Sequence, residues 1–260
     1  MKRKKGDRIM WQAAMWGAVS GSAVLLGALA AILFTIPKKI IGYIMAFGTG
    51  VLIGAAAYEL LGESVRDGGL MPTTGGFLIG AAVFTAFDVY ISRKGGSKRK
   101  RSDHSKQRCE EEDTGTGSSG LAIFAGTVMD AIPESIMIGA SLLEGGSVSW
   151  LLVIAIFLSN IPEGLSSTAG LRKGGYSKGK ILILWASVMV ISALSSLGGF
   201  AFMENASEAV MAFIAAFAGG GIIAMIASTM MPEAYEEGGP VIGFIASLGL
   251  LVSLVLDHLA

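Results

Sequence analysis

The sequence predicts an all-α polytopic membrane protein of eight transmembrane helices. Three observations carry that reading. Apolar side chains make up 52% of the 260 residues and charged ones only 15%. Apolar runs of roughly 20 residues, the length that crosses a bilayer core as a helix, recur with charged or glycine-rich joints between them. The 37 glycines, with many alanines and serines, suit helices that approach closely through small side chains in lipid. This composition excludes a soluble domain. The single cysteine, Cys109, excludes a disulfide framework or a cysteine metal site.

In chain order the predicted spans are about 11–35, 38–62, 72–92, 119–142, 148–170, 179–200, 207–231 and 240–258. The opening MKRKKGDR is basic and signal-like, but no small-residue cleavage site precedes the next joint, so the first apolar run reads as a retained span. Span 2 ends in YELLGES, with Glu59 and Glu63, and span 3 carries Asp88 close to Arg93 at its far end. The stretch 92–120 has a basic half, an acidic half and no apolar periodicity, and reads as a flexible loop between helices 3 and 4. Spans 4 and 5 each hold an Ile-Pro-Glu core, Ile132-Pro133-Glu134 and Ile161-Pro162-Glu163. Span 6 has no acidic residue, and span 7 ends in MPEAYEEGG, with Glu233 and Glu236. The whole chain, 1–260, is read as one transmembrane domain.

Lys and Arg counts orient the bundle. The joints after spans 1, 3, 5 and 7 hold fourteen basic residues, eight of them between Arg93 and Arg108. The opposite joints hold only Arg66, and five more precede span 1. The positive-inside bias of the loops therefore predicts a multi-pass protein of the cell (inner) membrane with the 92–120 loop cytoplasmic and both termini outside.

An internal repeat runs through this pattern. Shifted by 170 residues, Ala46–Gly69 lies without a gap on Ala216–Gly239, with identity at Ala46, Phe47, Gly50, Ile53, Ala57, Glu63, Gly68 and Gly69. The copies fall in spans 2 and 7, which cross in opposite directions. Oppositely oriented copies flanking a proline-broken pair give a 3+2+3 arrangement with an inverted repeat, the pattern of secondary transporters with a mid-membrane site.

The candidate site is the polar set on spans 4 and 5. Asp130 and Glu134 are one helical turn apart on one face. Asn160 and Glu163 are spaced i, i+3, with Ser159 beside them. Each proline lacks an N–H and so frees a carbonyl one turn earlier, at Met129 and Leu158. A carboxylate at that depth costs about 2.5–3.5 kcal/mol on insertion scales and by default marks a transport path or ligand site. Several together need a bound cation or protons. The predicted metal-binding residues are therefore Asp130, Glu134, Asn160, Glu163, Ser159 and Glu59, with Glu63, Asp88, Glu233 and Glu236 along the path or at its mouths. The two histidines, His104 and His258, lie in the long loop and at the chain end, so the donors are oxygens. Oxygen ligands suit manganese, ferrous iron, magnesium or calcium better than zinc, which prefers nitrogen and sulfur.

These motifs resemble the ZIP family of divalent metal transporters over nearly the whole chain. The family's signatures are His-Asn-x-Pro-Glu-Gly in span 4 and His/Gln-Glu/Asp-x-Pro-His/Glu-Glu/Gly in span 5. Here Asp130 and Ala131 take the first two places, ahead of Pro133, Glu134 and Ser135, while Ser159 and Asn160 precede Pro162, Glu163 and Gly164. The resemblance implies a first metal position at Asp130, Glu134 and Glu163. It implies no convincing second one, because Ala131 cannot ligate and Val190-Ile191 stand where a span 6 glutamate-proline pair would fall. It further implies spans 1, 4, 5 and 6 sliding as a block against spans 2, 3, 7 and 8.

The expected function is transport of divalent metal cations (Zn, Mn, Fe or related) toward the cytoplasm, with one substrate site rather than two and no cofactor. The alternative is a non-transporting ZIP-like metal sensor. The partners implied are the lipid bilayer and divalent metal ions; a homodimer is compatible with the reading, and nothing points to nucleic acid. Without a Gly-x-Gly-Asp pair, a Ser/His pair or His-Glu-x-x-His, an intramembrane enzyme is not expected.

Overall fold

A computed structural model describes residues 2–93, 116–143 and 147–259, and among these the chain is helical apart from short turns, with no strand. Eight long helices follow the predicted order. They are α1 (Lys2–Leu33), α2 (Lys38–Gly68), α3 (Leu70–Arg93), α4 (Thr116–Ser141), α5 (Trp150–Lys173), α6 (Lys178–Met203), α7 (Glu208–Gly238) and α8 (Ile242–Leu259). Among the described residues, α1–α3 and α5–α8 are long and apolar enough to cross a membrane by length and composition. Helix α4, at 26 residues, has the length to cross as well. The protein is an all-α, multi-pass membrane protein.

Several predicted boundaries move. Helix α1 begins at Lys2, inside the basic start, while α2 and α7 run on to Gly68 and Gly238. Their last turns are polar, so the apolar pattern stops before the backbone hydrogen bonding does. The predicted flexible loop 92–120 is shortened at both ends by α3 and α4. The rest of it, with Cys109 and His104, lies outside the described residues.

Because short turns reverse the chain, the start of α1 and the end of α8 share one side, here called the terminus side. The junction between α3 and α4 belongs to the opposite, loop side. Glycines at positive φ close α2 and α7, at Gly69 (φ 88°) and Gly239 (φ 71°), a conformation that a side chain disfavours. Helix α5 is capped by Ser149, whose hydroxyl accepts from Leu152 N–H at 3.1 Å, and α6 by Ser177, which accepts from Lys180 N–H at 3.3 Å.

The internal repeat extends well beyond its identical residues. The end of α1 at Leu33 maps by the same 170-residue shift onto the end of α6 at Met203, and Lys38–Gly68 maps onto Glu208–Gly238. Both α2 and α7 widen into π-helix at matching places, Ala56–Gly62 and Ile226–Met230. The capping glycines Gly69 and Gly239 match as well. A shared irregularity of this kind is backbone evidence for the repeat, since chance composition would not reproduce it.

Packing divides the helices into two groups. In one, α1 packs on α5 and α6, and α6 on α4; in the other, α2 packs on α8 and α3 on α7. Within each group the seams are glycine against backbone. A Cβ on Gly27 would meet the Ile161 carbonyl and one on Gly164 the Val24 carbonyl; Gly139 and Gly199 face the Ser196 and Ile136 carbonyls in the same way. In the second group Gly50 meets the Ala246 carbonyl, Gly249 the Phe47 carbonyl and Gly220 the Phe77 carbonyl. In lipid no water-driven force pulls helices together, so this close approach is the principal source of cohesion. Outer faces are apolar, as at Leu78, Ile183 and Phe244, each more than 60% exposed.

Replacing Gly139 by Ala puts a methyl into the Ser196 carbonyl. It is expected to cost about 1–3 kcal/mol, the usual penalty of overpacking. Thermal unfolding in detergent checks this, with Gly179→Ala as control, since a Cβ at Gly179 meets nothing within 4 Å. Equal midpoints for the two variants would contradict the seam's role.

Candidate metal centre

The predicted residues of α4 and α5 are all buried. Asp130 is 5% exposed, Glu134 2%, Glu163 3%, Asn160 5% and Ser159 2%, so none of them faces lipid. Both helices continue through their prolines, Pro133 and Pro162, without a break. The two helices face each other across Thr127, whose hydroxyl donates to Glu163 Oε1 at 2.9 Å. Thr127 stands one turn from Asp130 toward the loop side. Ser159 donates its hydroxyl proton to the Ile156 carbonyl at 3.0 Å, within its own helix.

The carboxylates divide between two environments. Asp130 and Glu134 line an apolar cavity of about 330 Å³ between α3, α4 and α7. Glu163 is turned onto Thr127 instead. Among the described residues, no three His, Cys, Asp or Glu side chains stand close enough to hold one metal ion. The sequence expected Asp130, Glu134 and Glu163 to share one ion; here Glu163 accepts from Thr127, one turn from Asp130.

Glu233 lies deeper than the mouth position the sequence suggested, while Glu59, also read as a metal ligand, stands at the terminus-side end of span 2. The Ser149 hydroxyl at the start of α5 donates to Glu59 Oε1 at 2.6 Å. Glu163 lies fourteen residues further along α5, roughly 21 Å at 1.5 Å per residue. Glu59 thus belongs to a polar vestibule of about 890 Å³ on the terminus side, together with Glu63, Asp67, Ser147 and Glu208. Arg66 pairs there with Glu63 at 3.2 Å and Asp67 at 3.4 Å. Glu233, expected at a mouth, is only 7% exposed and is bonded to the Ser166 hydroxyl. Ser166 is three residues beyond Glu163, about 4.5 Å along the axis. Glu233 therefore sits within a turn of the central carboxylates. The turn that follows it is peripheral: Glu236 is exposed and Glu237 pairs with Lys38 at 3.6 Å. Asp88 is half-buried one turn beyond the cavity-lining Phe84 on α3, and His258 is exposed near the end of α8.

Thr127, Ser149 and Ser166 complete the polar set and were not singled out from sequence. Two of them had a signal. Thr127 is i−3 from Asp130, and Ser166 continues the row Asn160–Glu163 by the same i+3 step. Ser149 could be foreseen as a helix cap but not as the partner of Glu59.

No family model matches the chain. It is 28% identical over 173 residues to zinc transporter SLC39A7 of Canis lupus familiaris, covering 63% of this chain, and 27% identical over 173 residues to that of Homo sapiens. It is 22% identical to zinc transporter ZIP11 of Bos taurus over an alignment covering 93% of this chain and 94% of that one. The chain spans 37% of the length of the dog SLC39A7 that it matches. With the paired Ile-Pro-Glu cores on adjacent buried helices and the eight-helix order, these likenesses to zinc transporters agree with the resemblance of the motifs to the ZIP family.

Proposed function

We propose that the chain is a transporter of divalent metal cations, taking zinc, manganese, ferrous iron or a related ion from the terminus side toward the loop side. Inserted as its basic loops favour, that direction is into the cytoplasm. One observation carries the reading: Asp130, Glu134 and Glu163 are each at most 5% exposed on facing helices of a membrane bundle. Anionic oxygens in that setting are stabilised by a cation, and oxygen donors suit a divalent one. The names of the relatives, zinc transporters, support the substrate class.

In this mechanism the vestibule carboxylates Glu59, Glu63, Asp67 and Glu208 raise the local concentration of cations, and Arg66 offsets part of their charge. The ion sheds water at the α4 and α5 carboxylates. Binding draws Glu163 off Thr127 so that the three oxygens converge. The ion leaves past Glu233, which requires the Ser166–Glu233 bond to open. A second reading, a metal sensor that does not transport, is favoured by the separation of the carboxylates in this conformer and by Ala131, which offers no ligand where the family has one.

Uptake into proteoliposomes separates the two. The parent accumulates divalent ions with time, and Glu134→Ala reduces uptake of every ion in a panel to the level of empty vesicles while still inserting and folding. Saturable binding without accumulation by the parent would establish the sensor instead. Asp130→His adds a nitrogen ligand and is expected to raise the zinc-to-manganese uptake ratio. An unchanged ratio would show that oxygen donors do not set the preference.

A further inference from the structure

The inverted repeat pairs α1–α3 with α6–α8 and α4 with α5, and the packing obeys that pairing at most seams. The α2–α8 seam matches the α3–α7 seam, and the α1–α5 seam matches the α4–α6 seam. One pair breaks the rule. Helix α2 packs along α5, but its counterpart α7 meets α4 at few points, and the cavity of about 330 Å³ lies between them.

The tight member of that pair is built on Gly48. A Cβ there would come within 2.8 Å of the Leu158 carbonyl oxygen and 3.1 Å of Ser159 Cα. Leu158 is the residue whose carbonyl Pro162 leaves without its helical N–H partner. The repeat carries Gly48 onto Ala218 by the 170-residue shift. The 29-residue offset between the two Ile-Pro-Glu cores carries Leu158 and Ser159 onto Met129 and Asp130. Ala218, Met129 and Asp130 all line the cavity. The residues that would make the matching contact are thus present, facing one another across open space.

The two ends of the pathway are asymmetric in the same sense. On the loop side Ser166 of α5 is bonded to Glu233 of α7. Their counterparts under the repeat, Met137 of α4 and Glu63 of α2, both line the terminus-side vestibule instead. The loop-side pair is buried and bonded, while its image lines a vestibule.

We propose that the cavity is the space into which α4 closes in a second, loop-side-open conformer, seating Ala218 on the backbone of Met129 and Asp130 as Gly48 is now seated on Leu158 and Ser159. The methyl by which Ala218 exceeds Gly48 obstructs that seat. Gly48 and Ala218 are therefore positioning residues that decide which side the central carboxylates face. Two discrete packings of rigid blocks, each favoured or opposed by a single Cβ, suffice for such a choice because packed interfaces are bistable rather than continuously deformable. The inference rests on the transport reading for its purpose, but its test reads conformation in the absence of metal.

The test uses the full chain with Cys109→Ser and one reporter at a time, Met137→Cys for the terminus side or Ser166→Cys for the loop side. The rate of labelling by a hydrophilic maleimide is measured in detergent. Gly48→Ala is expected to raise the Ser166-to-Met137 rate ratio about tenfold or more, the scale of one overpacked methyl. Ala218→Gly, which removes atoms, should raise it as well, and Ala218→Trp, which fills the cavity, should lower it. A merely structural role would not move the ratio in opposite directions at one position. If Gly48→Ala does not fold, the two Ala218 variants decide. An unchanged ratio in Ala218→Gly, or a shift in the same direction for both Ala218 variants, overturns the proposal. Loss of metal uptake with the ratio shifts intact would count against the transport reading alone.

Discussion

Carboxylates inside a bilayer are the constraint on which the rest of this structure depends. Asp130, Glu134 and Glu163 lie where water is excluded, and anionic charge there must be met by protons, hydrogen-bond donors or a cation. Thr127 meets part of the demand by donating to Glu163. In the transport reading, a guest cation supplies positive charge to these buried oxygens.

Such a site needs a rigid surround, and glycine supplies it. The seams of each helix group bring backbone onto backbone, at Gly27 and Gly164 between α1 and α5 and at Gly50 and Gly249 between α2 and α8. These contacts tolerate little slack. Gly164 shows how closely motif and scaffold are joined, since it follows Glu163 directly and presses on the Val24 carbonyl. The residue that ends the Pro-Glu-Gly signature on α5 therefore contributes packing, while the carboxylate beside it contributes chemistry.

Between the blocks the architecture is symmetric in sequence and asymmetric in space. The π-helical turns at Ala56–Gly62 and Ile226–Met230 sit at equivalent points of the repeat, and each places polar side chains at a place where regular helical bonding is relaxed. Glu59 in the first reaches the capping hydroxyl of Ser149. The second holds Ser228 and Thr229, and Thr229 folds its hydroxyl back to the Met225 carbonyl at 2.7 Å. Equivalent backbone thus carries an acid in the first copy and a self-satisfied alcohol in the second.

The sequence alone determined the class, the helix count, the repeat and the acidic positions. Each of these follows from local pattern: run length against bilayer thickness, charge in the joints, identity at a fixed shift, and a carboxylate beside a proline in an apolar run. It did not determine depth or partner. Glu233 was expected at a mouth, yet it is bonded to Ser166, a turn from Glu163, and the partner of Glu59, the Ser149 cap of α5, had no signal in the sequence. Their heights depend on how α2 and α7 slide along α5, a register fixed by contacts such as Gly48 on Leu158 that no single helix encodes. The same holds for the distances among Asp130, Glu134 and Glu163. Tertiary packing decided that Asp130 and Glu134 line one cavity while Glu163 accepts from Thr127.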